Sequence, residues 1–260
     1  MSLPSELLEI ARRAADAAAA ELLPRFGGPA SGVAAKSSST DLVSDADRAA
    51  EAAIRRVLGD ARPDDALLAE EGGSAEGTTG VRWIVDPLDG TTNYLWGIPH
   101  WAVSIAAVGP DGGLAAVVLD PCSGECFAAG RGLGAWLGDR PMRVTRPAAL
   151  DQALVGTGFN YSAEERGRQS QVLTGVMTRV RDIRRFGAAA LDLAWTAAGR
   201  LDAFFERGLE RWDWAAGALL VTEAGGAVQV IDAAPPRPGG VVAAHPDLVD
   251  EVRRLFEDPV

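Results

Sequence analysis

The chain is short of the residues that most often crosslink a fold or hold zinc. Of its 260 residues only two are cysteine and two are histidine. Cys122 and Cys126 flank Ser-Gly-Glu in a hairpin-like turn and read as two reduced structural thiols. A disulfide across that turn is geometrically conceivable, but little else points to an oxidising compartment. Together with His100 and His245 they do not make the four-ligand set of a zinc site. No run of eighteen apolar residues occurs, so no membrane span is expected, and the start of the chain lacks a basic-then-apolar leader. The expectation is a soluble, cytoplasmic protein. Positive charge is in deficit as well: 25 Lys plus Arg against 36 Asp plus Glu leave a formal charge of -11. That balance excludes a general nucleic-acid binder, whose affinity rests on cations meeting phosphates, so no direct nucleic-acid contact is expected. No internal repeat is found.

What is present is a long chain with enough apolar residues for a large core. It reads as one large domain or two intimately packed halves, an α+β half over residues 1–148 and an α/β half over 149–260. Leu7, Ala11, Ala14, Ala18 and Leu22 recur at helical spacing and predict a first helix that opens near Pro4 and ends before Gly27. Residues 36–41 form a polar loop. Ser44 with Asp47 three residues on is a helix N-cap arrangement, and Ala50, Ile54, Val57 and Leu58 follow as its apolar stripe. Leu67 to Ala69 is a short strand that delivers Glu70 and Glu71 at its end. The Gly-, Ser- and Thr-rich segment 72–80 reads as a mobile flap.

Trp83 to Val85 predicts a buried strand ending on Asp86, where Pro87 stops the ladder because it has no N–H to donate. Asp89 comes three residues after Asp86 and leads straight into Gly90-Thr91-Thr92. Two carboxylates and a donor-rich turn therefore converge at one strand end. That combination suits a cation-bridged anion: acids for hard metal ions, backbone N–H groups for phosphate. Bound cations would also reconcile an acidic protein with an anionic ligand. Beyond Asn93 three strands, 102–108, 114–119 and 125–128, make an antiparallel meander, and 130–138 adds turns and a further strand.

From Leu150 strands and helices alternate. Strands are expected at 153–156, 182–185, 201–206, 227–231 and 241–243, and helices at 163–180, 188–198, 213–224 and 246–256. The run 235–240, rich in proline and glycine, reads as a rigid surface loop. Asp213 opens an apolar helix, where an N-cap would be its ordinary role.

The string Asp86-Pro87-Leu88-Asp89-Gly90-Thr91-Thr92-Asn93-Tyr94 resembles the first motif of the inositol monophosphatase family. Trp212-Asp213-Trp214-Ala215-Ala216-Gly217 resembles the second, and the likeness runs from about Lys36 to about Ala244. It implies an α/β (α+β) fold, a layered α-β-α-β-α sandwich, commonly a homodimer. It implies a Mg²⁺-dependent, lithium-sensitive phosphatase holding two or three ions per site and acting on a small-molecule phosphate monoester. By this resemblance Glu70, Asp86, the Leu88 carbonyl, Asp89 and Asp213 are the metal ligands, with Asp86 bridging two ions and Glu71 left as surface or supporting acid. Thr91, bonded to Asp47, orients the attacking water, and no residue becomes phosphorylated. Gly90 and Thr91 N–H groups cradle the phosphate, while Gly187, Ala188, Ala189 and Glu206 meet the alcohol. Thr92 after Gly90-Thr91 matches enzymes of inositol phosphates, so myo-inositol 1-phosphate is the expected substrate. Histidinol phosphate and fructose 1,6-bisphosphate are rivals on the same scaffold. A partner-binding role at the transcription machinery is a rival of another kind, because some bacterial relatives contact it.

Overall fold

The computed structural model describes residues 2–36, 42–147, 149–234 and 237–257. Most of the polar loop expected at 36–41, and Pro235 and Pro236 of the expected rigid loop, lie outside them. Helix α1 (Leu3–Leu22) buries Leu7, Ala11, Ala14, Ala18 and Leu22 along one stripe. Pro4 sits in its first turn, where a missing N–H costs nothing. A two-residue ribbon, β1 (Ala34–Ala35) with β2 (Leu42–Val43), precedes α2 (Asp45–Ala61), which packs beside α1.

An eight-stranded sheet follows, built from β3 (Ala66–Ala69), β4 (Gly73–Ala75), β5 (Arg82–Asp89), β6 (Ala102–Gly109), β7 (Gly112–Asp120), β8 (Glu125–Gly130), β9 (Gly134–Leu137) and β10 (Arg140–Pro141). Its order is β10-β9-β8-β7-β6-β5-β3-β4, so β5 to β10 form the meander and β3 joins β5 in parallel. The expected flap at 72–80 is therefore partly strand: Gly73–Ala75 pairs with β3 as an exposed edge. A short helix α3 (Thr91–Leu95) links β5 to β6.

The second sheet holds β11 (Leu154–Thr157), β12 (Asp182–Arg184), β13 (Ala203–Arg207), β14 (Ala227–Ile231) and β15 (Gly240–Ala244), in the order β12-β11-β13-β15-β14. Helices α4 (Ala163–Val176), α5 (Ala189–Ala197), α6 (Arg211–Glu223) and α7 (Pro246–Glu257) complete the chain. Helix α4 stops short of the expected residue 180, because the chain turns after Val176 and Val180 drops into the core.

Period-two side-chain direction sorts the core into layers. On β6, Val103, Ile105 and Ala107 face α1 and α2, while Ala102, Ala106 and Val108 face α5 and α6. On β13, Phe204 meets α5 and α6 from the other side, while Ala203 and Phe205 face α7. The result is helices, sheet, helices, sheet, helices: an α-β-α-β-α sandwich. The central layer is thin because its residues are small. A Cβ at Gly217 of α6 would fall 2.4 Å from the Leu193 Cβ of α5, so that glycine sets how closely the two helices meet. Cys122 and Cys126 are both free thiols, half-buried against the α1 side of the core. No helix among the described residues is long and apolar enough to cross a membrane.

Candidate active site

Strand β5 does not end at Asp86. It runs on to Asp89 with a bulge, since Asp86 pairs with Ser104 and Asp89 with Ala102, leaving two residues opposite one. Pro87 causes this: the ladder breaks at the residue that cannot donate, yet the backbone stays extended. The Asp86 carboxylate accepts from the Leu88 N–H at 2.9 Å, closing a small turn over the gap. Gly90 then takes φ +91°, a conformation that L side chains rarely adopt, and starts α3. Bulge and glycine together turn Asp86, Asp89 and Thr91 to one side.

The other acids arrive on separate elements. Glu70 ends β3, its N–H pairing with the Val85 carbonyl at 3.2 Å. Asp213 is not an N-cap. Helix α6 begins at Arg211 with Glu210 as cap, and Asp213, in its first turn, accepts from the Glu210 N–H at 2.7 Å. Asp89 accepts from the Ala190 N–H at 2.7 Å, so the start of α5 holds it. Asp47 does two jobs: one oxygen accepts from the Ser44 N–H at 2.9 Å, capping α2, and the other lies 3.1 Å from the Thr91 hydroxyl. The same hydroxyl lies 3.0 Å from the Leu88 carbonyl.

Glu70, Asp86, Leu88, Asp89, Gly90, Thr91, Gly187, Ala189, Glu206 and Asp213 all line one cleft of about 470 Å³. Asp47 supports it from behind. Ala188 does not line it: it is buried between α5 and the large sheet, where a Cβ on Gly90 would touch it at 3.3 Å. Lys36, Arg185 and Trp212 also line the cleft and were not singled out from sequence. The Lys36 ammonium lies 2.6 Å from Glu70 and 2.5 Å from Glu71. Of the two roles open to Glu71, supporting acid is therefore the one observed, and burial pushes its carboxyl up to about 7.

The acids penalise one another. Burial, then the charges of Glu70, Asp89 and Asp213, hold the Asp86 carboxyl well above its ordinary range. Burial and the charges of Asp89 and Glu70 do the same to Asp213. Burial drives Asp89 up to about 7, although the α5 N–H groups pull the other way. Glu206, half-buried and packed against Gly158, rises to about 8 through burial despite Arg185. Among the described residues no three acid, histidine or cysteine side chains stand ready-made around one point. The donor set nonetheless suits a hard divalent cation. It offers only carboxylate and carbonyl oxygens, and the backbone N–H groups and the Lys36 ammonium that stabilise their charged forms do not outweigh burial and mutual repulsion. Neither histidine lines the cleft. His100 is half-buried and held neutral by burial, and His245 accepts from the Asp247 N–H at the start of α7.

Fold and cleft together define a layered sandwich of the sugar-phosphatase class, with its acids gathered at the end of one bulged strand. The chain belongs to the inositol monophosphatase family, whose family model matches residues 3–258. An inositol-1-monophosphatase of Rhizobium meliloti is 45% identical over 224 residues, covering 85% of this chain and 84% of that protein. A protein of Escherichia coli called Nus factor SuhB is 41% identical over 256 residues, covering 97% and 96%. The solved structure of the extragenic suppressor protein suhB from Bartonella henselae superposes with TM-score 0.89 at 38% identity, covering 98% of this chain and 99% of that one.

Proposed function

We propose that this chain hydrolyses a small polyol phosphate monoester, with myo-inositol 1-phosphate the foremost substrate, using magnesium held by Glu70, Asp86, Asp89, Asp213 and the Leu88 carbonyl. The observation that carries the reading is the gathering of these donors, from three separate segments, on one cleft that Gly90 and Thr91 also line. Bound there, the ions would supply Lewis acidity and offset charge growing on the ester's oxygens.

The chain's own groups do the rest. Thr91 has one hydroxyl proton and two acceptors for it, Asp47 and Leu88. With that proton committed, only lone pairs face the cleft, so Thr91 accepts from a water and aims its oxygen at phosphorus. The N–H groups of Gly90 and Thr91 bind the phosphate oxygens. Water is the nucleophile, and no side chain is phosphorylated. Glu206, whose carboxyl burial pushes up to about 8, accepts from one substrate hydroxyl and in its protonated form donates to another. Gly187 and Ala189 bound the alcohol with backbone and little side chain. A homodimer in the cytoplasm and sensitivity to millimolar lithium complete the reading, both resting on the family.

The test is phosphate release with Mg²⁺ present, from inositol 1-phosphate, histidinol phosphate and fructose 1,6-bisphosphate in parallel, because the acids read the phosphate and are blind to the alcohol. Asp86→Asn and Asp213→Asn should each cost about 10³-fold or more in kcat. Their fold should stay intact or become stabler, as repulsion among the acids is relieved. Unfolded variants would make these acids structural and defeat the proposal. Relatives called Nus factor carry a second reading, partner binding in transcription. An Asp86→Asn protein that is inactive yet still performs the cellular role would favour it.

A further inference from the structure

Behind Glu206 lies a second cavity of about 660 Å³, a size typical of small-molecule sites. It opens between α4, the end of β13 and α7. Its origin is α4 itself, a helix that is polar on nearly every side and buries only Glu165 and Val176. Such a helix bridges the sheet without filling the space beneath. Val172, Leu173, Phe205 and Phe256 form the apolar wall, with the two rings stacked at 4.2 Å.

One side of the rim, at α7, is cationic, against the trend of an acidic chain. Three guanidinium groups converge on one residue, Glu257, and two of them reach its carboxylate. Arg253 reaches it at 3.0 Å and Arg207 at 3.4 Å, while Arg237 finds only the Glu257 carbonyl at 3.3 Å. Arg207 and Arg237 line the cavity, and the Arg207 side chain is just 10% exposed. Arg168, on the opposite wall, is already matched by Glu164 and Glu165. Burial lowers the Arg207 pKa; Glu257 and Glu165 oppose the shift, Arg237 and Arg253 add to it, and the net is downward. Among the described residues, the place where α7 meets β13 thus presents more positive charge than Glu257 cancels, while on the opposite wall Glu164, Glu165 and Glu206 outnumber Arg168. An apolar floor under such a rim matches one ligand chemistry: a hydrophobic body with a single anionic group.

We propose that this cavity binds a small amphiphilic anion, an aromatic or branched aliphatic body bearing one carboxylate, sulfonate or phosphate, at a site separate from the acid-lined cleft. Glu206 and Gly158 form the partition. A Cβ on Gly158 would lie 2.1 Å from both Glu206 carboxylate oxygens, so the wall is closed at that point. The proposal does not depend on the phosphatase reading, since no group of the metal set takes part.

The probe is 1-anilinonaphthalene-8-sulfonate, an aromatic anion that brightens in apolar surroundings, titrated into the full folded chain. The expected result is saturable binding to one site per chain, unchanged by saturating inorganic phosphate or inositol 1-phosphate. Leu173→Trp fills the cavity and Arg237→Glu reverses its rim; each should weaken binding at least about tenfold, as loss of packing space or of a charge pair does. Absence of binding to the folded native chain, undiminished affinity in either folded variant, or displacement by inositol 1-phosphate would each overturn the proposal. If Leu173→Trp fails to fold, Arg237→Glu decides alone, because Arg237 is exposed and substitution there leaves the core untouched.

Discussion

At Asp192 burial dominates, and the charges of two nearby acids add to it. The residue is 1% exposed on α5, and burial, then the charges of Glu206 and Asp89, hold its carboxyl well above the ordinary range. His100 stands 3.9 Å away with its pKa lowered by burial, and the charge of Arg185 opposes the shift at Asp192 without reversing it. A carboxyl raised on folding favours the folded state at low pH and costs stability as pH climbs above its unfolded value near 3.9. Asp192→Asn should therefore raise the unfolding free energy at pH 8 by more than the roughly 0.5 kcal/mol of an ordinary surface exchange, with a matching rise in Tm, and scarcely change either at pH 4. Equal gains at both pH values would show that packing, not ionisation, is responsible. Single residues of this kind were poorly legible from sequence. Lys36 and Arg185 reach the cleft only because distant elements close around it, and neither stands in a local pattern that marks it. The motif acids were legible because bulge, turn and carboxylates are neighbours along the chain.

Elements were read better than their ends. The meander, the first helix and the alternating second half follow from period and punctuation, which are local. The misses occur where a long-range contact wins. Strand β5 outlasts Pro87 because β6 continues beside it, and part of the 72–80 segment becomes an edge strand because β3 offers a free side. The central helices show what element packing does for the site. Helix α5 holds Asp89 by its first N–H groups and α6 carries Asp213, so their spacing sets how far apart those acids lie. Gly217→Ala would push them apart, its Cβ meeting Leu193 at 2.4 Å. Overpacking of this kind costs about 1–3 kcal/mol. Both Tm and kcat should fall, and Leu193→Ala in the same chain should restore part of each, because the two changes share one contact. If the single variant loses stability and keeps full kcat, the spacing of these helices does not govern the site.

For the whole molecule the question is what compensates a site that is costly to assemble. Folding brings Asp86, Asp89 and Asp213 together at the expense of their charged forms, in a chain that already carries a net charge of -11. A divalent cation that binds only the assembled site repays that cost. It adds about 2.7 kcal/mol of stability at a hundred times its dissociation constant, by mass action alone. Mg²⁺ or Mn²⁺ should thus raise Tm at pH 8, where an inert salt of equal ionic strength does not. Protons compete for the same oxygens. Asp89 takes up its proton as pH falls through about 7, so the ion-induced rise should shrink from pH 8 to pH 6. Asp213→Asn, which removes one donor and some of the repulsion, should start from a higher Tm without metal and gain less from adding it. Thermal unfolding of both proteins across that pH range, with and without the ion, separates the alternatives. An ion-induced shift that is the same in the variant, or that ignores pH, would place the cation elsewhere on this acidic surface.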